Sequence, residues 1–253
     1  MSEYNPKRTR NLFDPGSDRP FRLSRSKVEM FVNCRRCFYL DRRLGIAPPS
    51  GPPFNLNSAV DALLKKEFDA FRHAGRPHPL MERAGIDAIP CNHPELDEWR
   101  ENFKGVRHLH EETRFSLSGA IDDLWIDRTG QLIVVDYKAT SKAGRIGIDS
   151  AWQLAYKRQM EFYQWLLRRN GFQVSATGYF VYCNGMRDRD AFNQRLEFDI
   201  DVIPYTGRDD WIESTLRAAR SCLELDAPPP PTPDCDQCRY NETVLALNAG
   251  RAD

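Results

Sequence analysis

Two spacings of apolar residues alternate along this chain and predict helices on both sides of a group of strands. In residues 57–74 the apolar positions recur every three or four residues, as on one face of an amphipathic helix, and Gly75 is placed to end it. Asn57 is a candidate cap for this helix, and Ser24 for a shorter one before it. Residues 46–53 hold four prolines and a glycine, so they predict irregular structure between the two helices.

Between residues 113 and 137 the spacing shortens and predicts three strands, with a turn at residues 128–130. Within them the run Leu-Ile-Val-Val, residues 132–135, is typical of a strand buried on both faces. Residues 76–110 give a weaker pattern, from which we expect loops and short helices. Further elements are predicted as a helix at about 151–169, strands at 174–183 and 194–202, and a helix reaching about 225. This order predicts a single α/β domain.

Composition and charge change this picture only at the ends of the chain. The 253 residues are 41% hydrophobic and carry 36 basic and 36 acidic side chains, as in an ordinary soluble protein. Residues 1–43 nevertheless hold eleven basic and five acidic residues. We expect residues 1–20 to be a disordered basic tail and residues 241–253 a C-terminal tail. A basic segment suits a phosphate-bearing partner, although a merely solvated tail is the alternative.

No apolar run approaches the ~20 residues of a membrane helix, and the first residues lack the apolar segment of a secretory signal. A cytoplasmic location without a membrane partner is therefore the expectation.

Two aspartates and a lysine form the main candidate site. Asp122 lies on the first half of an apparent hairpin, while Asp136 and Lys138 end the buried strand. Residues two apart in a strand share a face, so Asp136 and Lys138 should meet there with the Tyr137 side chain turned away. Carboxylates and the Tyr137 carbonyl are oxygen ligands suited to Mg²⁺, and a nearby lysine orients water, which is the chemistry that phosphodiester hydrolysis needs. The alternative is coincidence, because Asp-x-Lys at a strand end is common.

Gln159 and Tyr163 lie four residues apart, on one face of the next predicted helix. They are candidates for contacting a nucleic-acid backbone or supporting a catalytic carboxylate. In the competing interpretation Tyr163 is a core aromatic and Gln159 a surface residue.

Two cysteine pairs, Cys34-x-x-Cys37 and Cys235-x-x-Cys238, each have the spacing with which two sulfurs grip one metal. Together they would join the N- and C-terminal segments through zinc or an iron–sulfur cluster. Four reduced thiols without metal are the alternative. The remaining cysteines are isolated and expected to be ordinary buried residues, and His108 and His110 are expected to have no ligand role.

In this order, Gly119-x-Ile-Asp122, Asp136-Tyr-Lys138 and Gln159-x-x-x-Tyr163 resemble the RecB-like branch of the PD-(D/E)XK nuclease superfamily. The segment from Ser24 to Cys34-Arg-Arg-Cys37 is similar to the opening of CRISPR-associated and AddAB-type exonucleases. The resemblance covers about residues 22–240, which gives an expected nuclease domain of 21–240.

The resemblance implies a restriction-endonuclease-like core with a mixed β-sheet flanked by helices. It implies Mg²⁺ or Mn²⁺ held by Asp122 and Asp136, a water positioned by Lys138, and exonuclease action on DNA. Gln159 and Tyr163 would support the site or the bound strand. A helicase, repair or CRISPR-type partner is left open.

Two departures from the family pattern matter. Asp61 stands where many RecB-like members carry a metal-binding histidine, so it is a candidate ligand, but it also favours an inactive nuclease fold that only binds nucleic acid. Some relatives hold an iron–sulfur cluster with one cysteine before the nuclease motifs and three after them. No cysteine follows Cys238, so Cys37 would be the fourth ligand, and zinc and iron–sulfur both stay open.

Overall fold

The structure is a computed structural model that describes residues 7–49, 51, 53–144 and 146–249. Its helices are α1 (Arg25–Asn33), α2 (Arg35–Arg42), α3 (Asn55–Ala74), α4 (Pro79–Arg83), α5 (Leu96–Trp99), α6 (Leu154–Arg169), α7 (Asp210–Glu224) and α8 (Asp236–Ala249). Its strands are β1 (Phe21–Ser24), β2 (Ala88–Pro90), β3 (Val106–His110), β4 (Phe115–Gly119), β5 (Asp123–Asp127), β6 (Leu132–Thr140), β7 (Thr177–Gly185) and β8 (Phe198–Thr206). Among the described residues, none of these helices has both the length and the apolar character needed to cross a bilayer.

The chain forms two compact units, and neither is a continuous segment. The terminal unit contains Met1–Pro52, Leu109–Leu117 and Asp210–Asp253, and the central unit contains Pro53–His108 and Ser118–Asp209. One sheet has the strand order β1-β4-β3, and the other has the order β2-β5-β6-β7-β8.

The five-stranded sheet of the central unit is mixed. Only the pairing of β6 with β7 is parallel among its described strands, and α6 makes the connection that a parallel pair requires. Strand β6 lies in the middle, and its first six residues are buried, which confirms the prediction for residues 132–135. The predicted mixed α/β fold with flanking helices is therefore present.

Helices cover both faces of β6. On one face Phe68 of α3 packs against Trp125 and Tyr137, with ring centroids 5.7 Å apart in each pair. On the other face Gly178 of β7 leaves room for Met160 of α6. Because side chains alternate along a strand, Asp136 and Lys138 belong to the α6 face and Tyr137 to the α3 face.

The terminal unit packs α1 and α2 against α7. Tyr39 of α2 donates a hydrogen bond to the Leu225 carbonyl at 2.9 Å. Residues 1–6 of the predicted disordered tail lie outside the described residues. The later part of that segment is packed, since Phe13 is 3% exposed, its N–H bonds the Arg42 carbonyl, and Arg8 pairs with Asp41 at 2.7 Å. The prediction failed there because one anchoring phenylalanine creates no periodic pattern.

Most predicted helices and strands are present, with ends shifted by a few residues, but some details differ. Helix α3 begins at Asn55, and Asn57 is not its cap, because its side chain instead donates to the Ala139 carbonyl at 3.0 Å. Gly75 ends α3 in the left-handed conformation, as predicted. Residues 76–110 contain β2 and β3 as well as short helices. Of the proline-rich segment, residues 50 and 52 lie outside the described residues.

The largest difference is α8, which makes residues 236–249 helical where a tail was expected from residue 241. Residues 250–253 lie outside the described part of the chain. Helix α8 was missed because its apolar residues do not follow a clear helical spacing, and Cys238 is its one buried side chain among the described residues.

Candidate functional site

The central unit brings Asp122, Asp136 and Lys138 together at the end of β6. Asp122 lies directly before β5, and its Oδ2 accepts a hydrogen bond from the Tyr137 N–H at 2.9 Å. This contact holds the Asp122 carboxylate against the backbone that joins Asp136 to Lys138. The Asp136 side chain is fully buried and forms an ion pair with the Lys138 ammonium. The three predicted residues therefore share one region of the sheet.

Tyr137 divides the site from the core beneath it. Its side chain is turned away from Asp136 and Lys138, as predicted, and its hydroxyl donates to Asp123 Oδ2 at 2.6 Å. Burial, followed by the charge of Asp123, raises the pKa of Tyr137 well above its usual range, so the hydroxyl stays protonated and remains a donor. The Tyr137 carbonyl stays a predicted metal ligand.

A buried charge network supports Asp122 from the core side. Asp123, with no exposed side-chain surface, accepts hydrogen bonds from Arg100 Nη2 at 2.7 Å and from Arg72. Arg100 also donates through Nε to the Asp122 carbonyl at 3.1 Å and pairs with Asp69 at 2.9 Å. Burial lowers the pKa of Arg100, but the charges and hydrogen bonds of Asp123 and Asp69 together outweigh it and raise that pKa overall. Arg100 was not predicted, because no local sequence pattern links it to a residue 22 positions later.

Asp61 of α3 faces the same region. Burial and then repulsion from the Asp122 charge raise the pKa of Asp61, which shows that the two carboxylates interact. Lys65 lies 2.9 Å from Asp61 and 3.8 Å from Asp122, so it lies near both carboxylates. Lys65 was not predicted, although its position one helical turn after Asp61 indicates that the two side chains can meet.

The protonation of Lys138 decides what it can do. Burial lowers the pKa of this ammonium, but the charges of Asp136 and Asp122 raise it more, and the net direction is upward. Lys138 is therefore a cation at neutral pH, able to donate hydrogen bonds and unable to accept a proton. Its Nζ lies 4.6 Å from the centroid of the Tyr156 ring.

A divalent metal at these residues would need water for part of its coordination. The ligand atoms of Asp61, Asp122 and Asp136 do not form a three-member group within 4.8 Å, among the residues that the structure describes. Magnesium usually takes one or two protein carboxylates and keeps several waters, so Asp122 and Asp136 would be a sufficient protein contribution.

Gln159 and Tyr163 contact one another as their spacing predicts. Gln159 Nε2 donates to the Tyr163 hydroxyl at 3.1 Å. Tyr163 is 4% exposed, and a Cβ added at Gly119 would lie 2.6 Å from its ring. Tyr163 is thus a core aromatic, as the competing interpretation held, yet its hydroxyl also contributes to the electrostatic environment of Lys138.

The four predicted cysteines form a second candidate site, in the terminal unit. The Sγ atom of Cys37 lies 3.6 Å from those of Cys235 and Cys238, and Cys34 Sγ lies 3.7 Å from Cys238 Sγ. Four sulfurs around one zinc, each about 2.3 Å from it, stand about 3.8 Å apart. The observed separations fit a single tetrahedral ion.

The protonation of these thiols also suits a metal. Burial raises the pKa of Cys34, but hydrogen bonds, first from the Thr232 and Cys37 backbone, outweigh it and lower the pKa to about 6. This lowered pKa favours the thiolate form of Cys34, while burial raises the pKa of Cys37. Metal ligation would remove the remaining protons. The three other cysteines are buried outside this cluster, as predicted: Cys91, Cys183 and Cys222.

Elsewhere in the terminal unit, His110, Glu112 and Glu213 also lie within 4.8 Å of one another. His110 Nε2 contacts Glu213 at 2.8 Å, and Arg217 pairs with Glu112 at 2.7 Å. A protein cation already balances this acidic group, so its geometry needs no metal. His108 packs edge-on against Trp165.

The family model of the PD-(D/E)XK nuclease superfamily matches residues 22–243. A search of curated proteins found no match. One solved structure, titled "Crystal structure of SSO0001", is similar at 14% identity and a TM-score of 0.37, covering 82% of this chain and 78% of that chain. Because the family model spans most of the sequence, the chain belongs to the PD-(D/E)XK nuclease superfamily.

Proposed function

We propose that this protein is a metal-dependent nuclease that hydrolyses phosphodiester bonds of DNA. Asp122 and Asp136 would hold Mg²⁺ or Mn²⁺, with Asp61 and the Tyr137 carbonyl as further ligands. The observation that carries the proposal is the 2.9 Å hydrogen bond from the Tyr137 N–H to Asp122, which brings this carboxylate to the segment holding Asp136 and Lys138. Membership of the nuclease superfamily supports the same reaction class.

The reaction needs a nucleophilic water, neutralised phosphoryl oxygens and a stabilised leaving oxygen, which a bound divalent ion supplies. Lys138 would orient the attacking water by donating a hydrogen bond, since the charges of Asp136 and Asp122 keep the ammonium protonated. Asp136 holds that ammonium in place through their ion pair. Lys65, 3.8 Å from Asp122, is a further cation that could bind a phosphate oxygen.

Within the superfamily, we propose the RecB-like branch and exonuclease action. The support is the order of three motifs, with Asp122, the Asp136-Tyr-Lys138 segment and the Gln159–Tyr163 pair following one another. The hydrogen bond between Gln159 and Tyr163 is compatible with this assignment.

The direct test is cleavage of labelled single- and double-stranded oligonucleotides while Mg²⁺ or Mn²⁺ is titrated. Asp136→Asn and Lys138→Met should each reduce the rate about a hundredfold or more, since each removes a charge at the reacting phosphate. Lys142→Met changes an exposed lysine four residues further on and should retain activity. Full cleavage by both site variants would exclude the proposed site.

The alternative is a nuclease fold that binds nucleic acid without cutting it. The feature favouring it is Asp61, which stands where many RecB-like members have histidine. Its charge and that of Asp122 repel each other, which disfavours having both carboxylates ionised. Strand binding without cleavage under every divalent metal would select this alternative. An Asp61→His variant that gains cleavage would show that only this ligand limits the reaction.

For the four cysteines we propose zinc rather than an iron–sulfur cluster. The sulfur separations of 3.6–3.7 Å support one tetrahedral ion, because a four-iron cluster places each thiolate on a different iron and needs the sulfurs further apart. Metal analysis of anaerobically purified protein should give one zinc per chain and no colour. Brown protein with a broad absorption near ~400 nm would contradict the proposal.

A further inference from the structure

An exposed aromatic ring lies next to the proposed catalytic lysine. Trp152 belongs to a 3₁₀ turn, Ala151–Gln153, that leads into α6, and 57% of its surface is exposed. Its ring centroid is 5.5 Å from that of Tyr156, at an interplanar angle of 82°. The Tyr156 ring in turn lies 4.6 Å from Lys138 Nζ. The edge-to-face pair of Tyr156 and Trp152 therefore leads from the ammonium to the exposed indole.

The turn that carries Trp152 is held by polar contacts. Ser150 and Gln153 form a reciprocal capping box, and Gln153 is 2% exposed. Its Nε2 donates to the Gly147 carbonyl at 2.5 Å and lies 3.5 Å from the Tyr182 hydroxyl. Tyr182 is the cross-strand neighbour of Lys138 on β7. The turn that carries the indole thus contacts β7, the strand paired with that of Lys138. A turn held in this way loses less conformational entropy when a ligand binds.

A single exposed apolar side chain is ordinary and by itself indicates nothing. Trp152 differs because its neighbour Tyr156 lies beside the lysine proposed to orient the water that attacks the phosphate. Aromatic side chains bind single-stranded nucleic acids by stacking on bases, whatever the base sequence. A base inside a duplex already stacks on its neighbours and cannot take up this position without being unpaired.

We propose that Trp152, backed by Tyr156, forms a stacking subsite for one unpaired base of the DNA strand whose phosphate lies at Lys138. This inference rests on the proposed nuclease function and specifies its substrate as a single strand or an unpaired end. Trp152 is a binding residue in this scheme and takes no part in bond cleavage.

The test compares Trp152→Ala and Trp152→Phe with Phe103→Ala, which removes another highly exposed aromatic ring. Binding of a fluorescein-labelled single-stranded oligonucleotide is followed by anisotropy in Ca²⁺, and cleavage is followed in Mg²⁺ and Mn²⁺. The same strand is also made with one abasic site, placed at each position in turn.

Trp152→Ala should raise both Kd and KM about tenfold or more and leave kcat near the wild-type value, because stacking is worth that much per base. Trp152→Phe should restore most of the affinity, and Phe103→Ala should match the wild type. One abasic position should weaken wild-type binding by a similar factor and have no further effect on Trp152→Ala.

The outcomes separate this inference from the nuclease proposal. If Trp152→Ala binds and cuts like the wild type, or if the abasic penalty persists in it, the stacking subsite is excluded while cleavage stands. A second outcome is that no metal supports cleavage, while Trp152→Ala binds the oligonucleotide more weakly and an abasic position weakens its binding no further. The stacking subsite is then upheld and the nuclease proposal fails. Equal, Trp152-dependent binding of a blunt duplex would overturn the requirement for an unpaired base.

Discussion

Asp122 and Asp123 are neighbours in sequence, but their carboxylates lie in different surroundings. The Asp122 side chain is 24% exposed and contacts the Tyr137 N–H, whereas the Asp123 side chain has no exposed surface and bonds Arg72, Arg100 and the Tyr137 hydroxyl. Strand geometry points successive side chains to opposite faces. One carboxylate is therefore available to a metal, and its neighbour fixes the framework that holds it.

We predict that Asp123→Asn destabilises the protein by about 3 kcal/mol, because it leaves two buried arginine cations to share the partly exposed Asp69 as their counter-charge. Urea unfolding at pH 7 measures the change. The control is Asp87→Asn, which breaks an exposed pair with Arg128 and should cost no more than about 1 kcal/mol. Equal stability of the two variants would mean that the network does not support the site.

Gly119 supplies a second prediction at this scale. A methyl group there would lie 2.6 Å from the Tyr163 ring, so Gly119→Ala should destabilise the protein by about 1–3 kcal/mol through overpacking. Gly147→Ala is the matched control, since nothing lies within 4 Å of the added Cβ. Thermal unfolding should show a lower Tm for Gly119→Ala alone.

Asp41 predicts a dependence of stability on pH. Although burial raises its pKa, hydrogen bonds from Arg42 and Lys27 outweigh this and hold it below the ordinary value of 3.8. Because its folded-state pKa is lowered, the ionised Asp41 carboxylate stabilises the folded state fully above pH 3.8. This contribution is lost as the pH falls through the lowered pKa. Asp41→Asn should therefore cost about 3 kcal/mol at pH 7.

The cost of Asp41→Asn should shrink as the pH falls below 3.8 through the lowered pKa, because the wild-type carboxylate then also becomes neutral. Urea unfolding at pH 7, 5, 3 and 2 gives this comparison, and Asp18→Asn serves as an exposed control. A constant difference between wild type and Asp41→Asn at all four pH values would contradict the argument.

The sequence predicts part of the candidate site for a simple reason. Asp136 and Lys138 follow from strand alternation, and Asp122 from its place in a hairpin, which are local patterns. Arg100 and Lys65 reach the same region through long side chains from other elements, and their partners are set by packing. Such contacts leave no periodic trace in the chain.

At the scale of elements, α8 differs from the other long helices. It has 14 residues but buries only Cys238 among its described side chains, whereas the 15-residue α7 buries five. Little apolar burial holds α8 in place, and its one buried residue is a proposed metal ligand.

We therefore predict that removing the cysteine-bound metal releases α8. Hydrogen exchange in the presence of a strong chelator should show loss of amide protection in residues 236–249, while α7 keeps its protection. Cys238→Ser should reproduce the loss without chelator, and Cys183→Ser, which changes a buried cysteine outside the cluster, should not. Full protection of α8 in metal-free protein would rule out this role for the site.

Which elements could be predicted from the sequence depends on how much apolar pattern each of them carries. Strand β6 buries a continuous apolar run, and α3 repeats apolar residues at helical spacing, of which Leu64 and Phe68 are buried, so spacing alone located both. Strand β2 has three residues and α8 lacks an apolar face, so neither carries enough pattern to be recognised. The parallel pairing of β6 with β7 depends on contacts distant in sequence, and it entered only through the resemblance to a nuclease fold.

At the scale of the whole molecule, the excess positive charge of residues 1–43 attracts phosphate less strongly than the count of basic residues indicates. Arg8, Lys27 and Arg42 all pair with the buried Asp41. Cations occupied in this way contribute little to a field that attracts phosphate. The predicted basic arm is therefore partly a structural cluster.

The four cysteines also link segments separated by most of the chain, residues 34–37 and 235–238. Closing so long a loop stabilises the folded state by restricting the unfolded chain. We predict that a chelator lowers the Tm by several degrees, and that Zn²⁺ restores it while Mg²⁺ does not. Scanning calorimetry with each metal makes the comparison, and an unchanged Tm in chelator would refute it.

Tyr137 connects the proposed metal site to the core, because its backbone and its side chain contact different neighbours. The N–H steadies the carboxylate proposed to take magnesium, while the hydroxyl and ring are seated among Asp123, Phe68 and Trp125. Looser packing around the Tyr137 ring would therefore displace its N–H and weaken metal binding at the proposed site. A variant with such loosened packing would need a higher magnesium concentration at that site while most of the protein is still folded.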